Sequence, residues 1–152
     1  MARKHSPSSR GKGKEMNFTE SIKSVFSKYA TFSGRASRSE FWWWYLFVSL
    51  VNIVMSFIWN MSTMGMLNSA TSVEAMLAGM FNWAYYLWIV VSLALLLPTL
   101  GVIWRRLHDT NRSGGFYFLG LIPIVGIIVL LVFWVQDSTP GANRFGENPK
   151  TS

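Results

Sequence analysis

The chain has 152 residues, 51% hydrophobic and 16% aromatic, with a mean hydropathy of +0.27, which is more apolar surface than one soluble core of this size hides. Nearly all the Lys and Arg behind its formal charge of +7 lie before Glu40 or in one later cluster, a positive-inside membrane pattern that argues against nucleic-acid binding. No cysteine is present, so disulfides, thiolate metal sites and a cysteine nucleophile are excluded.

Residues Met1 to Glu15 are mostly Lys, Arg, Ser and Gly and are expected to form a disordered basic tail. Attraction to anionic lipid headgroups, about 1 kcal/mol per cation near a charged surface, is the functional alternative to a merely solvated tail. The membrane domain is expected over residues 16–149, followed by a short tail at 150–152. From Asn17 to about Tyr29 the residues Phe18, Ile22, Val25, Phe26 and Tyr29 recur at helical spacing, with Glu20, Lys23 and Lys28 on the other side. Asn17 followed by Glu20 has the form of a capping box. Two placements stay open for this helix: in the headgroup plane, or packed on the rest of the protein. Ser33-Gly34 breaks it, and Ser37 or Ser39 is expected to cap the next.

Span one is expected at about 41–61, uncharged, with Trp42, Trp43 and Trp44 at one end as an interfacial belt. It begins far down the chain and is longer than the core of a signal peptide, so it is expected to anchor and stay. Asn52 lies near its middle, and helix packing is expected of it ahead of a place in a transport path. Residues 62–79 carry Glu74 and no Lys or Arg and are expected to face outward as a loop. Span two, about 81–104, contains Pro98, which predicts a kink near Ala94. A charged knot follows, Arg105-Arg106-Leu107-His108-Asp109-Thr110-Asn111-Arg112-Ser113-Gly114-Gly115. Lying between two uncharged runs, it belongs at a membrane surface, and its Arg content assigns that surface to the cytoplasm, with the N-terminus inside. The third apolar run, about 116–135, is interrupted by Pro123 and Gly126. A single kinked span is the preferred reading; a re-entrant hairpin that returns the C-terminus to the cytoplasm is the other. The tail from Gln136 is rich in turn-forming Pro, Gly and Asn.

If the second helix continues past Trp104, Arg105 and Asp109 stand one turn apart, with His108 beside them. Spans one and two are antiparallel, so Glu40 becomes a natural partner for Arg105 or Arg106. Glu40, Arg105, His108 and Asp109 are thus expected to form a structural ion-pair network. Arg35, Arg38, Arg106 and Arg112 outnumber the local acids. They are the candidate anion- or lipid-binding residues, beside the open start of the third run. Adjacent helical residues point about 100° apart, so Asp109 is poorly placed to orient the His108 ring. With no nucleophile motif, metal cluster, phosphate loop or dinucleotide fingerprint, no catalytic residue, metal or cofactor is expected and the chain is read as a non-enzyme.

Three stretches, Phe32-Ser33-Gly34-Arg35-Ala36-Ser37-Arg38-Ser39-Glu40-Phe41-Trp42, Arg105-Arg106-Leu107-His108-Asp109 with Arg112-Ser113-Gly114, and Pro140-Gly141 with Asn143-Arg144-Phe145-Gly146, resemble in order and spacing the bacterial domain-of-unknown-function family 805. The resemblance covers about Asn17 to Pro149. It implies a small bacterial inner-membrane protein with several spans, and carries over no activity, cofactor or catalytic residue. The expected fold is all-α: a polytopic membrane protein of about three transmembrane helices preceded by an amphipathic interfacial helix. Its expected function is to bind a protein partner or anionic lipid at the cytoplasmic face. The alternative is an oligomeric small-solute or ion transporter or channel. Membrane lipids and a protein partner or homo-oligomer are the expected associations.

Overall fold

The computed structural model describes residues 15–150; the expected basic tail up to residue 14 and the last two residues lie outside it. Helix α1 spans Phe18–Ser27. Its start is the capping box read from the sequence: the Asn17 side chain accepts from the Glu20 amide at 2.9 Å, and the Asn17 amide donates to Glu20 Oε2 at 3.1 Å. Ser21 and Val25 are buried, and Phe18 meets Trp43 while Phe26 meets Trp44 and Phe47 edge-on. The helix therefore packs on the bundle, while Phe26, Tyr29 and Phe32 just beyond it stay exposed.

Helix α2, Arg38–Leu67, has 30 residues and extends about 45 Å at about 1.5 Å per residue, more than a bilayer core is thick. Its cap is Ser37, whose hydroxyl accepts from the Glu40 amide; Ser39 instead accepts from the Met16 amide. The sequence places the end of this span near Met61 and a loop at 62–79. That expectation is corrected: α2 runs on to Leu67, and a short helix α3 follows at Val73–Met80. The Met- and Ala-rich composition favours helix here, and Ser72 supplies the cap by accepting from the Ala75 amide.

Helix α4, Trp83–Asp109, starts on Asn82, which accepts from the amides of Ala84 and Tyr85. It returns antiparallel to α2, as a series of cross-contacts shows. The Trp44 indole donates to Thr99 Oγ1, the Trp88 indole to Asn52 Oδ1 and the Asn82 amide to Thr63 Oγ1, each at 3.1 Å. Rising numbers on α2 meet falling numbers on α4. Asn52 is thereby engaged in helix packing.

The third apolar run is divided. A 3-10 segment covers Gly114–Leu121, and α5 covers only Val125–Val135. Eleven helical residues extend about 16 Å, half of a bilayer core. Between them Ile124 takes φ 63°, ψ −65°, and the Val125 amide donates to Pro123 O at 2.7 Å, closing a tight γ-turn of the strained, left-handed kind. The arms then fold onto each other: Phe116 meets Phe133, and a Cβ on Gly126 would stand 1.7 Å from Leu119 O. Both ends of the run lie at the charged end of α4, where Arg106 reaches the Trp134 carbonyl. The preferred single kinked span is therefore corrected to the hairpin reading. Pro123 supplies no amide for a helical bond, and Gly126 permits the close return.

The buried core, Val25, Ala36, Phe41, Trp44, Val102, Ile103, Leu107 and Leu130, sits at this same end. Farther along, large apolar side chains face outward: Ile53, Val54, Phe57 and Met61 on α2, Tyr86, Val90 and Leu93 on α4, Leu121 and Ile124 on the hairpin. A water-soluble surface rarely carries so continuous an apolar band, whereas lipid requires one.

Candidate functional site at the charged end of the bundle

Three loops or helix ends converge here: residues 34–40 before and at the start of α2, the last turn of α4, and the tail after α5. Asp109 stands at the centre, wholly buried. Its Oδ1 accepts from Arg35 Nε at 2.9 Å, and its Oδ2 from Arg106 Nη1 at 2.5 Å and from the Ser138 hydroxyl at 2.6 Å. Its carbonyl accepts from the Thr139 amide and hydroxyl. One carboxylate thus holds two guanidiniums and the tail, the arrangement that makes a buried charge tolerable.

Arg35 and Arg106, each expected to be available to an anion, are instead saturated by the protein. Arg35 also donates to the carbonyls of Thr139 at 2.9 Å and Gly141 at 2.8 Å, with Gly146 O at 3.3 Å. Gly141 and Gly146 have φ of 66° and 133°, backbone that glycine adopts readily and that turns their carbonyls inward. Arg106 donates twice to Trp134 O, at 3.1 and 2.9 Å, and to Gln136 O. The planar fork of arginine suits such multiple acceptors. No side-chain pattern marks this, because the acceptors are backbone carbonyls of a tail that a single third span would put on the far side.

The expected Glu40 to Arg105 pair is present, at 2.8 Å with both side chains 1% exposed. Ser24 Oγ donates to the same carboxylate oxygen, and Lys28 Nζ lies 3.9 Å away. Arg105 Nε and Nη2 and the Ser21 hydroxyl are buried without a hydrogen-bond partner. Two other expectations change. Asp109 pairs with Arg106, one residue later than the anticipated Arg105, and His108 stands outside the ion pairs: its Nδ1 meets Gly34 O at 3.1 Å, and its ring stacks on Phe145 at 3.9 Å. Asn143, from the same tail turn, donates to His108 O at 2.9 Å.

Arg112 lies over the Phe133 ring, 3.9 Å from its centroid, and donates to Gln136 Oε1 at 2.8 Å. Arg38 is more open than Arg35 and Arg106, its side chain 40% exposed and 3.5 Å from Asp137. The Lys150 ammonium, donating to Asp137 at 2.5 Å, holds that carboxyl below its ordinary value of 3.8. Trp134, Ser138, Thr139 and Phe145, all in the stretch that closes over the knot, are not among the expected site residues. The Asn143-Arg144-Phe145-Gly146 turn was the one signal for them. Among the described residues, no group of three or more His, Asp or Glu side chains is gathered to hold a metal.

The knot, the 34–42 stretch and the tail turn thus form one structure, and a family model described as "Protein of unknown function (DUF805)" matches residues 29–147, which contain all three. The chain belongs to this family. Family relatives include the inner membrane protein YhaI of Escherichia coli (strain K12), 38% identical over 127 residues, which are 84% of this chain and 92% of that protein. The inner membrane protein YhaH of the same strain is 37% identical over 131 residues, 83% of this chain and 93% of that protein. No solved structure matches the chain. With inner-membrane relatives and two helices long and apolar enough to cross a bilayer, this family member is a membrane protein.

Proposed function

We propose that the chain is a non-enzymatic module of the bacterial inner membrane that binds anionic lipid at its cytoplasmic face, with the N-terminus and the charged end inside. The observation that carries this reading is the surface around α1. Phe26, Tyr29 and Phe32 stay exposed on the segment that carries Lys23, and Trp42 and the half-exposed Arg38 stand in the first turns of α2 at the same end of the bundle. Apolar side chains that enter the acyl boundary, flanked by cations that meet headgroup phosphates, suit an anionic interface. Arg35 and Arg106 have no part in it, since their donors point at the protein's own oxygens. They fix the platform, and Lys23 and Arg38 present charge from it.

The test is the lipid dependence of purified protein in nanodiscs. Phosphatidylglycerol should raise the unfolding temperature above that in phosphatidylcholine and should be retained through purification. The Lys23→Gln, Arg38→Gln variant should keep its fold and lose that preference. Equal stability in both lipids would defeat the proposal. The alternative, a small-solute or ion transporter, draws on a cavity of about 180 Å³ between α2 and α4, lined by Asn52, Trp88, Ser92 and Thr99 among apolar residues. Solute flux into proteoliposomes, absent with empty vesicles, would favour it.

A further inference from the structure

Along α2 the residues Ser49, Asn52, Ser56 and Asn60 recur at three- and four-residue spacing, which places them on one helical face. Asn52 and Asn60 are exposed, and Ser49 and Ser56 are half-buried. These side chains lie within the apolar length of the helix, where lipid tails offer no hydrogen-bond partner.

Each uses only part of its capacity locally. Asn52 Nδ2 donates to Val48 O, and Asn60 Nδ2 to Ser56 O, so each amide keeps a second N–H. The Ser49 and Ser56 hydroxyls donate to Tyr45 O and Ile53 O and keep their lone pairs as acceptors, as does Asn60 Oδ1. Unused donors and unused acceptors therefore alternate along a single face. Such a face is complementary to itself.

A second copy of this chain in the same membrane and the same orientation, related by a two-fold axis along the membrane normal, brings this face against itself, so that the spare Asn52 N–H of each copy stands within one turn of the Ser56 hydroxyl of the other. Ser49 and Ser56, small and two turns apart, let two backbones approach there, and Asn52 and Asn60 supply the polar groups that bond across. Phospholipid cannot answer this face: headgroups do not reach its depth, and acyl chains carry no donors. From this we infer that α2 is the contact between two copies of the protein, with Ser56 at the crossing and the amides of Asn52 and Asn60 bonding across it. The inference is independent of lipid binding at the charged end, which uses other residues on other elements.

The absence of cysteine allows a direct test in native membranes with the full chain. Single Ser49→Cys and Ser56→Cys variants should form disulfide-linked dimers on mild oxidation, since a disulfide requires Cα atoms within about 7 Å. Leu50→Cys and Val54→Cys, on other faces of α2, should not. In liposomes, energy transfer between labelled copies should report a dimer whose dissociation constant rises roughly tenfold in Asn52→Leu, Asn60→Leu, as expected for two interhelical bonds of ordinary strength. Asn52 also accepts from Trp88, so Ser56→Leu, at a hydroxyl that bonds within α2, serves as a second variant and should weaken association at unchanged membrane level. Equal cross-linking at all four cysteine positions, a cross-linked product of another mass, or undiminished association in both Leu variants would overturn the inference.

Discussion

The hydroxyl of Tyr29 donates to the carbonyl of Ala94, the acceptor that Pro98 leaves without its helical donor, since proline at i removes the bond to the carbonyl at i−4. The segment after α1 thus compensates a defect in α4. Removing the hydroxyl in Tyr29→Phe should cost about 1 kcal/mol, the usual net value of such a bond. Thermal unfolding in detergent will measure this. In a Pro98→Ala background, where the helix can supply its own donor, the same change should cost distinctly less.

Asp109 anchors two buried guanidiniums, so Asp109→Asn should destabilise by about 3–5 kcal/mol, the range seen when one partner of a buried ion pair is removed. Arg38→Gln, at a half-exposed pair with Asp137, should change stability by about 1 kcal/mol or less. Parallel denaturant or thermal curves separate the two. If they fall alike, Asp109 is not the centre of the network.

At Gly126 a methyl group would meet the Leu119 backbone oxygen at 1.7 Å and the Leu119 carbonyl carbon at 2.6 Å. No side-chain rotation relieves that contact. Gly126→Ala should therefore open the hairpin at a cost at or above the 1–3 kcal/mol typical of overpacking, while Gly115→Ala, which has room, should be near neutral. Hydrogen exchange across residues 116–135 will distinguish a local opening from global loss.

What was legible in the sequence had local or strongly periodic causes. The capping box at Asn17 and Glu20, the uncharged lengths of α2 and α4 and the Glu40 to Arg105 pair all follow from spacing and from antiparallel return. Less legible was anything decided by backbone oxygens. The fates of Arg35 and Arg106 depend on carbonyls of Trp134, Gln136, Thr139 and Gly141, which any residue type would supply. The hairpin was legible only as an ambiguity. Pro123 and Gly126 permit either a kink or a return, and the γ-turn at Ile124, a residue with no propensity for positive φ, gives no sequence sign of the choice.

The return of residues 116–135 brings the tail back to complete the charged end. The direct measurement is the accessibility of single cysteines to a membrane-impermeant reagent in sealed vesicles of one orientation. Ala30→Cys, between α1 and α2, and Glu147→Cys, in the tail, should label from the same side, and Ser69→Cys, between α2 and α3, from the other. Labelling of Glu147→Cys together with Ser69→Cys, and apart from Ala30→Cys, would mean that residues 116–135 cross the membrane and would contradict the hairpin.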